Sequence, residues 1–501
     1  MEFYLSKSRY CNAVQCPKML WLKTNTPDVE ESIADQSRLE NGNKVGDLAM
    51  SLFGDYVEVA YDNDKSVMLR KTEDLIAKGV PVITEASFAY NGLFCSVDIL
   101  KKSGDGYELY EVKSTTKIHE KNVIKKVYQD DIAYQNYVLT QCGIRVDRAC
   151  LVYINNQYNY SGKLDLNQLF KIEDVTGIAR GKMPEVAANI ETFRNYMIQT
   201  EEPADNIGKH CNDPYYCGFW KYCTLHLPQP NIFDLGGKDF NINKKIKLYR
   251  QGIVSFDDLQ KNDQISEKQR MKIEYQLYDL EPYADRENIK NFLNGLSYPL
   301  YFLDFETFQQ AVPQYDNSRP YEQITFQYSL HSIEAPGAEV KHQEFLAYPG
   351  SDPRREVAES LCNTIPENAC ILAYNAGFEK ERINRLAELY SDLAEHLTDL
   401  RDHIQDLIVP FSQGYYYNKA MLAGNSIKVV LPALFPDDPT LNYNNLEGVH
   451  NGTDASATFA RMAEMSPDEL EVSRKQLLEY CKLDTWAMVK IWEKLKEISQ
   501  D

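Results

Sequence analysis

The sequence Leu303-Asp304-Phe305-Glu306-Thr307 sets two carboxylates two residues apart, directly behind an apolar run over 298–303. Such a run suits a buried strand. On a strand Asp304 and Glu306 share one face while Leu303 and Phe305 bury on the other. Two adjacent acids repel each other unless a cation neutralises them, so the pair points to a divalent metal. Much further along, Tyr480 and Asp484 stand four apart in a helix-forming stretch and fall on one face. Between them lies a second short apolar strand over 371–374. It is followed by Asn375-Ala376-Gly377-Phe378-Glu379, in which Asn375 is the expected N-cap of a helix carrying Glu379. Carboxylates gathered around a divalent cation suit metal-assisted chemistry.

A second set of charged residues occupies the N-terminal half. The runs over 92–100 and 107–113 alternate in polarity and are separated by a polar turn over 101–106, which predicts a β-hairpin. Glu111 and Lys113 point to the same face of the second strand, and Asp98 joins them if it faces them across the hairpin. Two carboxylates there suit Mg2+ or Mn2+, which prefer oxygen ligands, and the lysine could orient a water and offset charge on a phosphate. Surface hairpins carry the same residue types, so the pattern alone leaves a plain structural reading open. A helix over 127–139 containing Gln135 follows.

Cys211, Cys217 and Cys223 recur at C-x5-C-x5-C spacing; Cys16, just before Pro17, is the candidate fourth ligand, with Cys11 in reserve. Zinc favours tighter knuckles and iron–sulfur clusters accept wider ones. A cluster, zinc and unliganded thiols are the alternatives.

These groups sit in a chain of 501 residues, long enough for about three domains. Its composition is 43% hydrophobic, too apolar for a disordered chain. A net charge of −20, from 54 Lys+Arg against 74 Asp+Glu, argues against a nucleic-acid coat protein but not against a nuclease, whose sites concentrate acids. No run approaches the roughly 20 apolar residues of a membrane span. The start, Met1-Glu2-Phe3-Tyr4-Leu5-Ser6-Lys7, carries an acid and no apolar run, unlike a secretory signal. A cytoplasmic protein with no membrane partner is the expectation. The Pro-rich stretch 227–231 marks a boundary. The expected organisation is an α/β domain over 1–230, a helical linker over 231–295 and a second α/β domain over 296–501, closed by an amphipathic helix over 468–498. Within the linker, helix, Gly252 turn and helix suit either a plain spacer or a helix-hairpin-helix-like contact to a DNA backbone.

In order along the chain, Ser6-Lys7-Ser8-Arg9-Tyr10, Cys16-Pro17-Lys18-Met19-Leu20-Trp21-Leu22, Asp98, Glu111-Val112-Lys113, the Gln135 helix and the three later cysteines resemble the PD-(D/E)XK nucleases of the RecB and CRISPR-associated exonuclease type. The likeness covers roughly residues 1–225. It implies a restriction-endonuclease-like fold, Asp98 and Glu111 as ligands of one or two metal ions, Lys113 as the catalytic lysine and Gln135 holding substrate. It also implies a [4Fe–4S] cluster on Cys16, Cys211, Cys217 and Cys223 that pins the domain's two ends together. One departure stands out: those nucleases often place a metal-binding His where this chain has Gly46. Glu85 could supply the ligand, or the site could be degenerate.

The segments around Asp304, Glu379 and Tyr480–Asp484 resemble the tyrosine-bearing DEDD 3′–5′ exonucleases of the RNase H-like fold, over about residues 296–501. That likeness implies Asp304, Glu306, Glu379 and Asp484 as ligands of two Mg2+ or Mn2+, with Tyr480 orienting or helping to deprotonate the water. Asn375 and Lys428 would meet substrate, the lysine within the block Ser426-Ile427-Lys428-Val429-Val430-Leu431-Pro432; a solvated lysine is the bland alternative. The wider superfamily has Asp in place of Glu379, and Asp402 is the acid that could take over. Both halves together resemble an uncharacterised bacterial family in which the two nucleases are fused. This implies hydrolysis of nucleic acid, DNA in preference to RNA, in DNA repair or phage defence. The alternative is a nucleic-acid-binding or adaptor protein with a degenerate N-terminal fold and structural cysteines. The basic strip Lys113, Lys117, Lys121, Lys125 and Lys126 is a nucleic-acid contact or a solvated face. Tyr415, Tyr416 and Tyr417 stack on bases or fill core.

Overall fold

A computed structural model describes residues 5–26, 36–204, 207–237 and 240–500. Met1 to Tyr4, part of the stretch read above for a secretory signal, lie outside the described residues. The fold is mixed α/β in two compact units, one of Met1–His226 with Gln310–Tyr321, the other of Leu227–Gln309 with Glu322–Asp501. Among the described residues no helix is long and apolar enough to cross a membrane.

Unit 1 is built on a seven-stranded sheet. Val82–Tyr90, Leu93–Ser103 and Gly106–Lys113 form an antiparallel meander. The expected hairpin is there but pairs further: Lys101 and Lys102 stay in register, and the Lys101 ammonium bonds Glu108 at 2.9 Å. The turn tightens to Gly104 and Asp105, with Gly104 at φ 54°, a left-handed conformation that costs a side chain but not a glycine. Gly106–Lys113 then pairs in parallel with Val146–Ile154. Parallel neighbours need a crossover, and the helix Lys126–Gln141 supplies it. Leu5–Ser6 pairs with Leu93–Phe94, and the Ser6 hydroxyl caps the following helix, Lys7–Gln15, by accepting from the Arg9 N–H. Leu20, Leu100, Leu109, Tyr134 and Leu151 sit in the core. The segment 310–321 docks here through Ser318, whose carbonyl accepts from the Tyr160 N–H, and through Tyr321, whose hydroxyl is 2.7 Å from the Ser114 hydroxyl.

Unit 2 carries a five-stranded sheet in the order Lys341–Leu346, Ile324–Ile333, Leu300–Phe308, Cys370–Ala373, Ile404–Asp406. The first three strands are antiparallel and the last three parallel. The central strand, covered on both faces, is apolar except at Asp304, Glu306 and Thr307. Tyr301, Leu303 and Phe305 pack with Val357, Leu361 and Ile383 of the helices Arg354–Thr364 and Gly377–Leu389. On the other face Phe302 meets Trp492 of the C-terminal helix Pro467–Gln500, ring centroids 5.8 Å apart. Asp304 and Glu306, in step with Phe302, therefore turn toward the C-terminal helix.

The stretch expected as a linker falls inside unit 2. Its helices Ile242–Tyr249, Phe256–Gln260, Glu267–Leu277 and Arg286–Asn294 include the expected turn at Gly252. Phe240, Leu248, Phe256, Leu259 and Ile273 form a small core of their own, closed by Leu422 from far along the chain.

Candidate metal centre

Asp304, Glu306 and Asp484 offer oxygens that all lie within 4.8 Å of one another. The central strand delivers the first two and the C-terminal helix the third. Buried polar contacts fix that helix to the sheet. Gln327, paired opposite Glu306, donates its amide to the Leu477 carbonyl at 2.8 Å. The Thr485 hydroxyl lies 2.7 Å from the Ser329 hydroxyl and 2.8 Å from His331 Nδ1. Glu379 opens the helix Gly377–Leu389, is buried, and leaves its Oε2 without a hydrogen-bond partner. An orphaned carboxylate oxygen is costly in an interior.

Electrostatics agree. Burial, then repulsion from Asp484, Glu306 and Glu379, pushes the Asp304 carboxyl far above its ordinary range, and burial with Asp484 does the same to Glu306. Burial, reinforced by Asp406, lifts Glu379 to about 7. Burial lifts Asp484 to about 6 against the opposing pull of Tyr443 and Lys428. In metal-free protein these acids hold protons more tightly folded than unfolded. Their contribution to stability is complete below the unfolded carboxyl range near pH ~4 and is lost as pH rises through about 6 and about 7. Metal-free protein is expected to melt lower at about pH 8 than at about pH 5.5. Mn2+ at a hundredfold excess over its Kd should restore about 2.7 kcal/mol at the higher pH. Melting curves at both pH values, with and without Mn2+, check this; curves indifferent to metal would remove these acids as a cation site.

Two further side chains complete the centre. Tyr443, in the short turn Tyr443–Asn445, donates its hydroxyl to Asp484 Oδ1 at 2.6 Å. No motif marked it among 34 tyrosines. Lys428, in the first turn of the helix Ile427–Leu434, is exposed, and its ammonium lies 3.4 Å from the Tyr480 hydroxyl and 3.0 Å from the His450 carbonyl, over the rings of both Tyr443 and Tyr480. The helix Gly452–Arg461 closes in as well, since a Cβ on Gly452 would stand 3.6 Å from Glu306 Oε2.

Asn375 is not the N-cap expected of it. It takes φ 63°, a region Asn enters more readily than most residues, and the helix begins at Gly377 with no side-chain cap. Asp406 caps the turn instead, accepting from the backbone N–H of Asn375 at 2.9 Å and of Ala376 at 3.1 Å. Asp402 is exposed and pairs with Arg401 at 2.9 Å, so it does not stand in for Glu379. Tyr416 and Tyr417 are buried and pair with Tyr283–Ala284, leaving no face for a base.

In unit 1 the hairpin brings Asp98, Glu111 and Lys113 together. Asp98 Oδ2 accepts from the Val112 N–H at 2.6 Å. Glu111 Oε1 accepts from Lys113 at 2.7 Å, and its Oε2 from the Gln135 amide at 2.6 Å. Tyr134, one residue before Gln135, donates to the Leu5 carbonyl instead. Burial and then Glu111 lift Asp98 to about 8. Burial works against ionising Glu111, but Lys113 and Lys7 outweigh it and hold that carboxyl well below the usual range. Glu85 takes φ 54° in mid-strand, and its carboxyl feels Lys7 and Glu111. Gly46 lies in the helix Gln36–Met50 with open space where a side chain would begin. Lys7 and Asp131 join this cluster.

Cys16, Cys211, Cys217 and Cys223 line one pocket with Met19, Leu22, Phe219 and Trp220. The four are gathered from both ends of unit 1. Backbone bonds set the later three: the Cys217 N–H donates to the Cys211 carbonyl and the Cys223 N–H to Phe219. Lys18 and His210 line the pocket too; four soft donors suit an iron–sulfur cluster or zinc. Cys11 packs against the main unit 1 core and is not among the pocket residues.

A family model described as "Domain of unknown function (DUF2779)" matches residues 301–426. The match takes in Asp304, Glu306, Asn375 and Glu379 and stops before Lys428, Tyr480 and Asp484. No curated protein matches the chain.

Proposed function

We propose that this protein is a metal-dependent nuclease. In this reading unit 2 is an RNase H-like exonuclease of the DEDD type that removes nucleotides from a 3′ end, DNA in preference to RNA. Unit 1 is a RecB-like PD-(D/E)XK nuclease domain stapled by a [4Fe–4S] cluster, or failing that by zinc. The supporting observation is the convergence of Asp304, Glu306 and Asp484 within 4.8 Å, with the unpartnered Glu379 oxygen coupled to them. Two divalent cations held by these four acids would activate an attacking water and stabilise charge on the leaving oxygen.

The chain's own groups divide the remaining work. Tyr443 fixes the Asp484 carboxylate through its hydroxyl. In metal-free protein burial and then Asp484 push the Tyr480 phenol far above its ordinary value, so its hydroxyl carries a proton with which to orient a water. The Lys428 ammonium, seated on two tyrosine rings, is the cation available for a substrate phosphate.

For unit 1 a second reading has an observation in its favour. Glu111 already accepts from two lysines and a glutamine, as in a degenerate fold that binds nucleic acid without cutting it.

DNA and RNA strands labelled at either end test the proposal. With Mg2+ or Mn2+, a 3′ label should leave at once as mononucleotide while a 5′-labelled strand shortens stepwise, and chelator should stop both. Strands that stay intact with metal present would end the nuclease reading.

A further inference from the structure

The charged cluster of unit 1 contains a lysine that neither hairpin strand provides. The Lys7 ammonium lies 2.8 Å from Glu111 Oε1 and 3.7 Å from Asp131 Oδ1. Lys113 contacts the same two acids, 2.7 Å from Glu111 Oε1 and hydrogen-bonded to Asp131 Oδ2. Two lysines and two carboxylates thus alternate around a closed ring. Gln135 braces it by donating to Glu111 Oε2 and Asp131 Oδ1, while its own Oε1 is fully buried with no partner. A buried amide oxygen without a protein donor can serve as a ligand for a cation. Asp98, with Oδ2 on the Val112 N–H, and Glu85, whose carboxyl feels Lys7 and Glu111, add two more carboxyl groups beside it.

The two lysines are held differently. Lys113 shares a strand with Glu111, two residues away, and cannot leave it. Lys7 comes from the first turn of the helix Lys7–Gln15, anchored by the two-residue strand Leu5–Ser6, and its second contact is long. It can retreat without breaking the hairpin.

We propose that Lys7 is a second active-site lysine of unit 1, a positioning residue whose ammonium occupies the cation position between Glu111 and Asp131 and is exchanged for a divalent metal. This rests on reading unit 1 as a metal site. Mn2+ and Lys7 compete for one carboxylate oxygen, so neutralising Lys7 must strengthen metal binding, whereas losing a structural staple must weaken or spare it.

The test is Mn2+ binding to full-length protein carrying Asp304→Asn, which silences the unit 2 centre. Binding that disappears on adding Asp98→Asn belongs to unit 1. Adding Lys7→Met should tighten it about tenfold, and charge-retaining Lys7→Arg should leave it unchanged; Lys7→Gln replaces Lys7→Met should the latter fail to fold. If the parent binds Mn2+ in unit 1 and the folded neutral variants bind it no more tightly, the exchange is wrong and Lys7 is a staple. If neither parent nor variants bind Mn2+ there, the metal-site reading of unit 1 fails and takes the proposal with it.

Discussion

Asp304→Asn is expected to reduce 3′-end digestion by about a thousandfold or more while raising the melting temperature of metal-free protein. The two effects share one cause. Asp304 is buried among Glu306, Glu379 and Asp484, and each feels the others. Asparagine keeps the shape and removes an acid that burial and its neighbours make costly to ionise, which relieves the metal-free fold. It also removes a negative ligand. Metal stabilisation of a transition state is worth several kcal/mol, and each ~1.4 kcal/mol is a factor of ten in rate. Stability bought at the expense of activity is the usual mark of a strained functional site. Asp98→Asn, in unit 1, should leave 3′-end digestion unchanged. Rates on end-labelled strands and melting curves of both variants check the pair. A slower Asp304→Asn that also melts lower would indicate damage to the fold rather than loss of a ligand.

The second large effect is expected at the cysteine pocket. Cys16 and the group Cys211, Cys217 and Cys223 are separated by almost the whole of unit 1, so the metal group proposed for them would close a very long loop. Structural metal sites contribute on the order of 10 kcal/mol or more to folding, and 1 kcal/mol moves the melting point of a domain this size by about 2–4 °C. Cys217→Ser should therefore lower the melting temperature by about 10 °C or more and release the metal. Anaerobically purified wild type should be brown, with broad visible absorbance that the variant lacks. Cys11→Ala, in the main core, should keep the colour. A colourless wild type loaded with zinc would replace the cluster by zinc, and a metal-free wild type as stable as any other preparation would leave four ordinary thiols.

The parts of the centre legible in the sequence are those set by local periodicity. Asp304 and Glu306 share a face because a strand repeats every two residues, and Tyr480 and Asp484 because a helix nearly repeats every four. Asp98 and Glu111 meet because a short turn joins their strands. What the sequence hid is set by contacts across long separations. Tyr443 reaches Asp484 over 41 residues and Lys7 reaches Glu111 over 104. Neither neighbourhood has a pattern of its own. Asn375 carries the right chemistry for an N-cap, but Asp406, 31 residues on, takes the backbone N–H groups. The stretch 231–295 looks like a polar spacer, yet Leu248, Phe256 and Leu259 find a core that Leu422 completes. In each case tertiary packing overrode a sound local inference.

Electron paramagnetic resonance of Mn2+ bound to Asp98→Asn protein, with unit 1 silenced, puts the centre itself to the question. Two ions per chain with an exchange-coupled spectrum, lost on adding Asp304→Asn, are the predicted result. Isolated, weakly held Mn2+ with a spectrum that Asp304→Asn does not alter would mean that these acids hold no metal pair.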